Sequence, residues 1–189
     1  MIEIRAGSAT DATAIARVRR ESWHAAYKGI IAAPIIERAT ALGGGAADPP
    51  PYRRTLVAEA GEHPAVVGFA SYGPERAVAP PAAHPLTADG VTGQVGELYA
   101  LYVTPQWWSA GVGRALMGSV LAALASDAYR RVVLWVLADN ARARRFYERA
   151  GFAPDGGTNV ITGLGGVLEV RYARALSGEH LLDRLPGDA

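Results

Sequence analysis

The fold is decided by Glu97-Leu-Tyr-Ala-Leu101-Tyr102-Val103, then Trp108-Ser109-Ala110-Gly111-Val112-Gly113-Arg114, then Asn140-Ala-Arg142-Ala-Arg-Arg145-Phe146-Tyr147-Glu-Arg-Ala-Gly151-Phe152. The first stretch reads as a strand and residues 104–110 as a turn. Gly111 opens a helix in which Val112, Leu116, Val120 and Leu124 recur every fourth residue. Two glycines where a strand hands over to a helix let the backbone approach a ligand closely. The free N–H groups of the first helical turn and the positive end of the helix dipole then suit an anion, most simply a pyrophosphate.

A lone Gly-x-Gly also arises from ordinary helix-start packing, so the competing phosphate loops are tested on their residues. A dinucleotide fingerprint needs a third small residue three positions after Gly113, where this chain has Leu116. A Walker loop needs Gly-Lys before Ser or Thr, and the sequence has none. A nucleotide-binding oxidoreductase is disfavoured on the same residues.

Outward from this centre, residues 131–138 form a nearly continuous apolar strand of the kind buried on both faces. A short helix over 140–150 ends at Gly151, the residue that most easily adopts a left-handed cap. Two further strands are expected at about 159–162 and 167–176. Upstream, 2–5 reads as a strand, and Ser8 with Asp11 as a reciprocal cap for a helix running to about Tyr27. Residues 55–60 and 65–71 form a hairpin around Gly61-Glu62-His63-Pro64. The glycine- and proline-rich stretches 41–51 and 73–96 read as surface connections. The order β-α-α-β-β-β-α-β-α-β-β is an α+β or mixed α/β arrangement around one sheet. Residues 1–176 form the expected domain and 177–189 a tail.

The glycine turn and the Asn140 segment together resemble the GNAT superfamily of N-acetyltransferases. Its pattern is a strand, Arg/Gln-x-x-Gly-x-Gly/Ala, a helix, a strand, and Asn-x-x-Ala-x-x-Phe-Tyr-x-x-x-Gly-Phe. The resemblance is strong over 97–152 and looser over the rest of 2–176. One departure is Trp108, which stands where the family most often has arginine or glutamine. The family fold is a mostly antiparallel sheet, splayed between the strands at 97–103 and 131–138, where the pantetheine arm of acetyl-CoA inserts.

The resemblance implies that the backbone of Ser109, Ala110, Gly111, Val112, Gly113 and Arg114 holds the coenzyme A pyrophosphate. It places Leu101, Tyr102 and Val103 along the acetyl and pantetheine amides, with the Leu101 N–H on the oxyanion, and Asn140 on the pantetheine arm. Arg114, Arg142 and Arg145 are candidates to add charge near the phosphates. Tyr147 matches the tyrosine that protonates the departing thiolate; with an ordinary pKa near ~10 it keeps its proton at neutral pH. Glu97 matches the general-base glutamate of the histone-acetylating branch. Trp23 and Tyr27, four apart and so on one helix face, resemble a Trp-x-x-x-Tyr pair of a bacterial subgroup in the region that shapes the acceptor pocket.

The bulk properties agree with this reading and narrow it. The 189 residues are half hydrophobic, enough for one full core. A net charge of +1 argues against nucleic acid as a partner. The absence of cysteine excludes an acyl-cysteine intermediate, so transfer from acetyl-CoA to the amine is direct or uses another group. The histidines His24, His63, His84 and His180 lack metal-ligand spacing, and no metal is expected. Charges near the N-terminus and the lack of a long apolar run point to a soluble, cytoplasmic protein without a membrane partner. The acceptor is a small-molecule or peptide amine of unspecified identity, and a homodimer is compatible with the resemblance. The rival reading is a non-catalytic acyl-CoA-binding sensor, which would need neither Glu97 nor Tyr147.

Overall fold

The computed structural model describes residues 1–41, 52–62, 65–76 and 95–176. The seven strands are β1 (Ile2–Ala6), β2 (Arg54–Ala60), β3 (Ala65–Pro74), β4 (Val95–Val103), β5 (Arg131–Leu137), β6 (Ala153–Ile161) and β7 (Val167–Ala175). The four helices are α1 (Ala12–Ala26), α2 (Ala33–Ala41), α3 (Val112–Ser126) and α4 (Ala141–Arg149). Their order along the chain is the one the sequence predicts. The strands form one sheet in the order β1-β2-β3-β4-β5-β7-β6, and only the central β4–β5 pair is parallel.

That parallel pair determines where a ligand can enter. Its register runs Val95 to Arg131, Gly96 to Val132, Glu97 to Val133 and Leu98 to Leu134, and stops there. Beyond Leu98 and Leu134 the two strands part, while each keeps its antiparallel neighbour on the other side. A bulge near Ser71 and Tyr72 of β3 adds an unpaired Tyr99 to β4 at this point, the kind of irregularity that bends and re-aims a strand.

The helices cover opposite faces. Alternate strand residues point to opposite sides, and β4 sends Leu101 and Val103 into the cluster around α3, Ala100 and Tyr102 into the one around α1. Val112, Leu116, Val120 and Leu124, the predicted stripe of α3, are all 0% exposed. On the other face Val18 of α1 packs on Val57, Val66 and Phe69. Ile31 and Ile36, flanking the start of α2, pack with Leu137 against Trp23 and Tyr27.

The predicted cap at Ser8 is present as a capping box with Asp11. Asp11 also accepts both Nη atoms of Arg5, each at 2.8 Å, which ties β1 to the start of α1. The Arg5 guanidinium, with the Ser8 N–H, holds the Asp11 carboxyl well below the usual carboxylate range. Gly151 closes α4 at φ 83, and the Phe152 N–H reaches back to the Tyr147 carbonyl at 3.0 Å as a left-handed cap requires.

Three boundaries differ from expectation. β6 starts at Ala153, six residues before the expected 159. Pro154, Gly156 and Gly157 read as turn residues, but β6 lies at the sheet edge, where a register shift between Pro154 and Thr158 accommodates them. β3 continues through Pro74 and β4 begins at Val95, so the expected 73–96 connection is shorter at both ends. Residues 77–94 of that connection, most of 41–51, the tail 177–189 and His63, His84 and His180 lie outside the described residues.

Candidate active site

A cleft of about 2100 Å³ passes through the sheet where β4 and β5 part, reaching α3 and α4 on one side and α1 on the other. The Thr104 N–H donates to Val67 of β3 at 2.8 Å. By the alternation of an antiparallel pair, Tyr102 also bonds to β3, while Leu101 and Val103 turn their main-chain groups toward the gap. The Val103 carbonyl is already engaged, accepting from Ser22 Oγ at 2.9 Å and Trp108 Nε1 at 2.7 Å. The groups of this strand that face the gap without such a partner are therefore both polar groups of Leu101 and the N–H of Val103.

This arrangement sets Tyr102 apart from Leu101 and Val103. Its main chain belongs to the β3 ladder and its ring lies on the α1 face, 5.5 Å from Phe69 and 6.4 Å from Trp23 between centroids. Tyr102 lines the cleft from the side away from α3 and α4.

The glycine turn is built as the sequence suggests. Ser109 has φ 65 and Gly111, the residue before α3, has φ 84. Gly111 offers no side-chain cap, and the first intrahelical bond is from Ala115 N–H to the Gly111 carbonyl at 2.9 Å. The N–H groups of Val112, Gly113 and Arg114 thus emerge at the positive end of a 15-residue helix. The Val112 side chain is core, so only its backbone is available to a ligand. A Cβ at Gly113 would lie 3.4 Å from Phe146 and 3.8 Å from Leu101. Both are ordinary van der Waals distances, so the space at this glycine would admit a Cβ in contact with α4.

Trp108, the departure from the family pattern, has its indole N–H fixed on Val103 and its face under Arg142, whose guanidinium carbon stands 4.1 Å from the ring centroid. Arg142 is thus held as a stacked pair at the cleft wall. Arg114 and Arg145 are exposed at the same cleft. The helix arginine engaged in structure is Arg144, which donates to Tyr172 Oη at 2.9 Å and to the Ala138 carbonyl at 3.0 Å.

Asn140 caps α4, its Oδ1 accepting the Ala143 N–H at 3.1 Å. That bond fixes which end of the amide is engaged and leaves Nδ2 as the donor on a cleft-lining residue. Tyr147 lines the cleft between Phe146 and Phe152, with centroids at 5.4 and 6.2 Å. Burial, with a smaller contribution from Tyr102, raises its pKa further above the ordinary tyrosine value.

Trp23 and Tyr27 meet edge to face at 5.0 Å and line the cleft from α1. They also pack on the cluster beneath α2, so they serve the core and the cleft together. Glu97 is placed differently from expectation. Its carboxylate is 0% exposed and is not among the cleft-lining residues. It accepts Arg76 N–H at 2.8 Å, Arg76 Nε at 3.0 Å and Arg76 Nη2. The cause is local: β3 and β4 pair Gly73 with Glu97, which brings Arg76, just past the end of β3, over the carboxylate.

Glu169 and Arg19 are among the cleft-lining charges that escaped the sequence reading. Glu169 of β7 sits opposite Leu137 of β5 and Asn159 of β6, and accepts Asn159 Nδ2 at 2.8 Å. Burial raises its pKa, and the Asn159 hydrogen bond only partly opposes this. Arg19 lies one turn before Trp23 on α1. Neither residue belongs to a local motif. The one signal for Arg19 was its spacing of four and eight residues from Trp23 and Tyr27.

The profile of the acetyltransferase (GNAT) family matches residues 15–152. Among curated proteins, the mycothiol acetyltransferase of Beutenbergia cavernae is 46% identical over 59 residues, 31% of this chain and 20% of that protein. That of Kocuria rhizophila is 39% identical over 69 residues, 36% of this chain and 22% of that protein. The chain therefore spans about a fifth of the length of these relatives. Among solved structures, the PaiA N-acetyltransferase of Thermoplasma acidophilum in complex with coenzyme A superposes with a TM-score of 0.61 at 20% identity, covering 90% of this chain and 98% of that one. A GCN5-related N-acetyltransferase of Kribbella flavida gives 0.61 at 24% identity, covering 93% and 98%. These structures share the fold, and the family match extends over most of the chain, so this protein belongs to the acetyltransferase (GNAT) family.

Proposed function

We propose that the protein transfers the acetyl group of acetyl-CoA to an amine acceptor, with the thioester lying in the gap between β4 and β5. The observation that carries this reading is the end of β4–β5 pairing at Leu98 and Leu134, which turns the Leu101 main chain toward a cleft that Tyr147 also lines. The first-turn amides of α3, from Gly111 to Arg114, suit the pyrophosphate, and the Arg114 side chain adds a positive charge. The N–H of Val103 and Asn140 Nδ2 are donors for the pantetheine amides. These groups fit acetyl-CoA, which supplies an activated acyl group and a thiolate leaving group.

The remaining steps belong to the chain's own residues. The Leu101 N–H donates to the acetyl oxygen as negative charge develops there. Tyr147 holds its proton at neutral pH because its pKa is raised, and delivers it to the departing sulfur. Trp23 and Tyr27 wall the acceptor side. Glu169 takes the proton of the acceptor ammonium, a role favoured by its place on the cleft and by burial, which brings its pKa closer to that of an amine. Glu97, bound on three sides by Arg76, acts as the anchor for that arginine; serving as the base would require Arg76 to withdraw.

The test is a panel of primary amines incubated with acetyl-CoA, with free coenzyme A thiol as the readout. Release above the acceptor-free rate for at least one amine is the expected result. Release independent of every amine contradicts the proposal.

A further inference from the structure

Arg19, Trp23 and Tyr27 fall four residues apart, so they form one stripe of α1, and all three line the cleft. Other half-buried arginines have a partner: Arg5 has Asp11 and Glu59, Arg17 the Val66 carbonyl, Arg144 the Ala138 carbonyl, Arg174 the Ala150 carbonyl. Arg19 is different. Its Nε and Nη2 are buried with no hydrogen-bond acceptor among the described residues. Burial lowers its pKa, the nearby Tyr102 partly opposes this, and the Arg53 guanidinium adds a smaller like-charge effect. In the same stripe, the buried Trp23 Nε1 approaches the Tyr102 hydroxyl without closing a hydrogen bond.

A guanidinium that loses hydration without gaining an acceptor costs stability, and no hydrogen bond to Nε or Nη2 among the described residues offsets that cost here. Nε and Nη2 form one edge of the guanidinium, with two parallel N–H bonds, and that edge matches the two oxygens of a carboxylate or phosphate. The site lies on the acceptor side. α1 covers the face opposite α3 and α4, so Arg19 is separated by the sheet from the turn suited to pyrophosphate. Glu169 and Arg19 both act on Tyr102, yet they do not pair with each other. The cleft thus carries opposite charges within electrostatic reach of one aromatic residue.

We infer that Arg19, with Trp23 Nε1 and the charge of Arg53, binds an anionic group of the carboxylate or phosphate class carried by the amine acceptor. This specificity rests on the acetyl-transfer reading above. The acceptor is then two-ended, its anion on Arg19 and its amine directed toward Glu169 and Tyr147.

The test has one arm without turnover and one with it. Inorganic phosphate or succinate is titrated onto the coenzyme A-loaded protein while thermal stability is followed. Wild type gains stability, and Arg19→Met, which keeps the stem but removes the fork, does not. Arg19→Met without anion should be at least as stable as wild type, because an unpaired buried charge is removed; Arg19→Lys keeps charge and gives a smaller anion response. In the second arm the α-amino acids are compared with their carboxamides, and aminoalkylphosphonates are assayed beside them. The anionic acceptors are expected to be preferred by about 10–100-fold in kcat/KM, the scale of a hydrogen-bonded charge, and Arg19→Met to erase the preference. Equal anion responses in wild type and Arg19→Met, equal use of acids and amides, or weakened coenzyme A affinity in Arg19→Met would each overturn the inference. An Arg19-dependent anion response without acetylation of any amine supports the site and counts against the transfer reading instead.

Discussion

The two halves of the cleft are built on different principles. The half that suits the coenzyme uses main-chain groups of β4 and the first turn of α3, with Asn140 and Tyr147 on α4, all between residues 101 and 147. The half proposed for the acceptor is lined by side chains from α1 and β7, with Arg19 and Glu169 separated by 150 positions in sequence. Main-chain recognition tolerates changes such as Trp108 at an expected arginine or glutamine, because the chain path supplies the donors. Side-chain recognition changes with single substitutions.

The largest expected effect lies where the halves meet. Tyr147→Phe removes one hydroxyl from a ring packed between Phe146 and Phe152. Single-turnover acetyl transfer should slow by about 10²–10⁴-fold with coenzyme affinity kept. A rate within about twofold of wild type, far below that scale, would make Tyr147 a packing residue.

Next come the two carboxylates. Glu169→Gln should lower kcat/KM by about 10²-fold, the lower end for a general base. A base works deprotonated, so wild-type kcat/KM falls as the pH drops through the Glu169 pKa, which burial places above the ordinary glutamate range. That acidic limb should disappear in Glu169→Gln and persist in Glu97→Gln. The reverse pattern would restore Glu97 as the base and place Arg76 among the moving parts.

A smaller effect is expected at the turn. Arg114→Glu should weaken acetyl-CoA binding by about 10-fold, the loss of one charge-assisted contact, without destabilising the apo protein, since an acidic residue suits a helix N-terminus. Gly113 is a poorer site for this test because its Cβ would meet Phe146. Unchanged binding in Arg114→Glu would move the phosphates away from α3.

The smallest effect lies outside the cleft. The Asp11 carboxyl is held below its usual range by Arg5 and Ser8, so it stabilises the fold above the unfolded aspartate pKa near ~3.9 and loses that contribution as the pH falls further. Asp11→Asn should melt below wild type at neutral pH, and the gap should narrow progressively as the pH falls below that reference value. A constant gap would show that the β1–α1 tie does not depend on charge.

The same contrast explains what could be read from the sequence. The α3 stripe, the Ser8–Asp11 cap and the Gly151 cap were legible because each is written in residues within a turn or two of one another, whereas the parting of the central strands was implied by the family resemblance alone. The start of β6 was not legible, since Pro154 and Gly156 mark turns unless the strand is known to lie at an edge. The site divided in the same way. Asn140, Tyr147 and most of the glycine turn line the cleft, whereas the position of Glu97 depends on Arg76, 21 residues earlier. Glu169 and Arg19 gain meaning only when β7 and α1 are brought to the same cleft.

The most direct test follows backbone amide resonances of labelled protein during titration with acetyl-CoA. The account predicts the largest changes at Leu101, Val103 and residues 111–114, with little change at Tyr102, whose amide is held in the β3 ladder. Changes that bypass Leu101 and the start of α3 would contradict the claim that the β4–β5 gap is where acetyl-CoA binds.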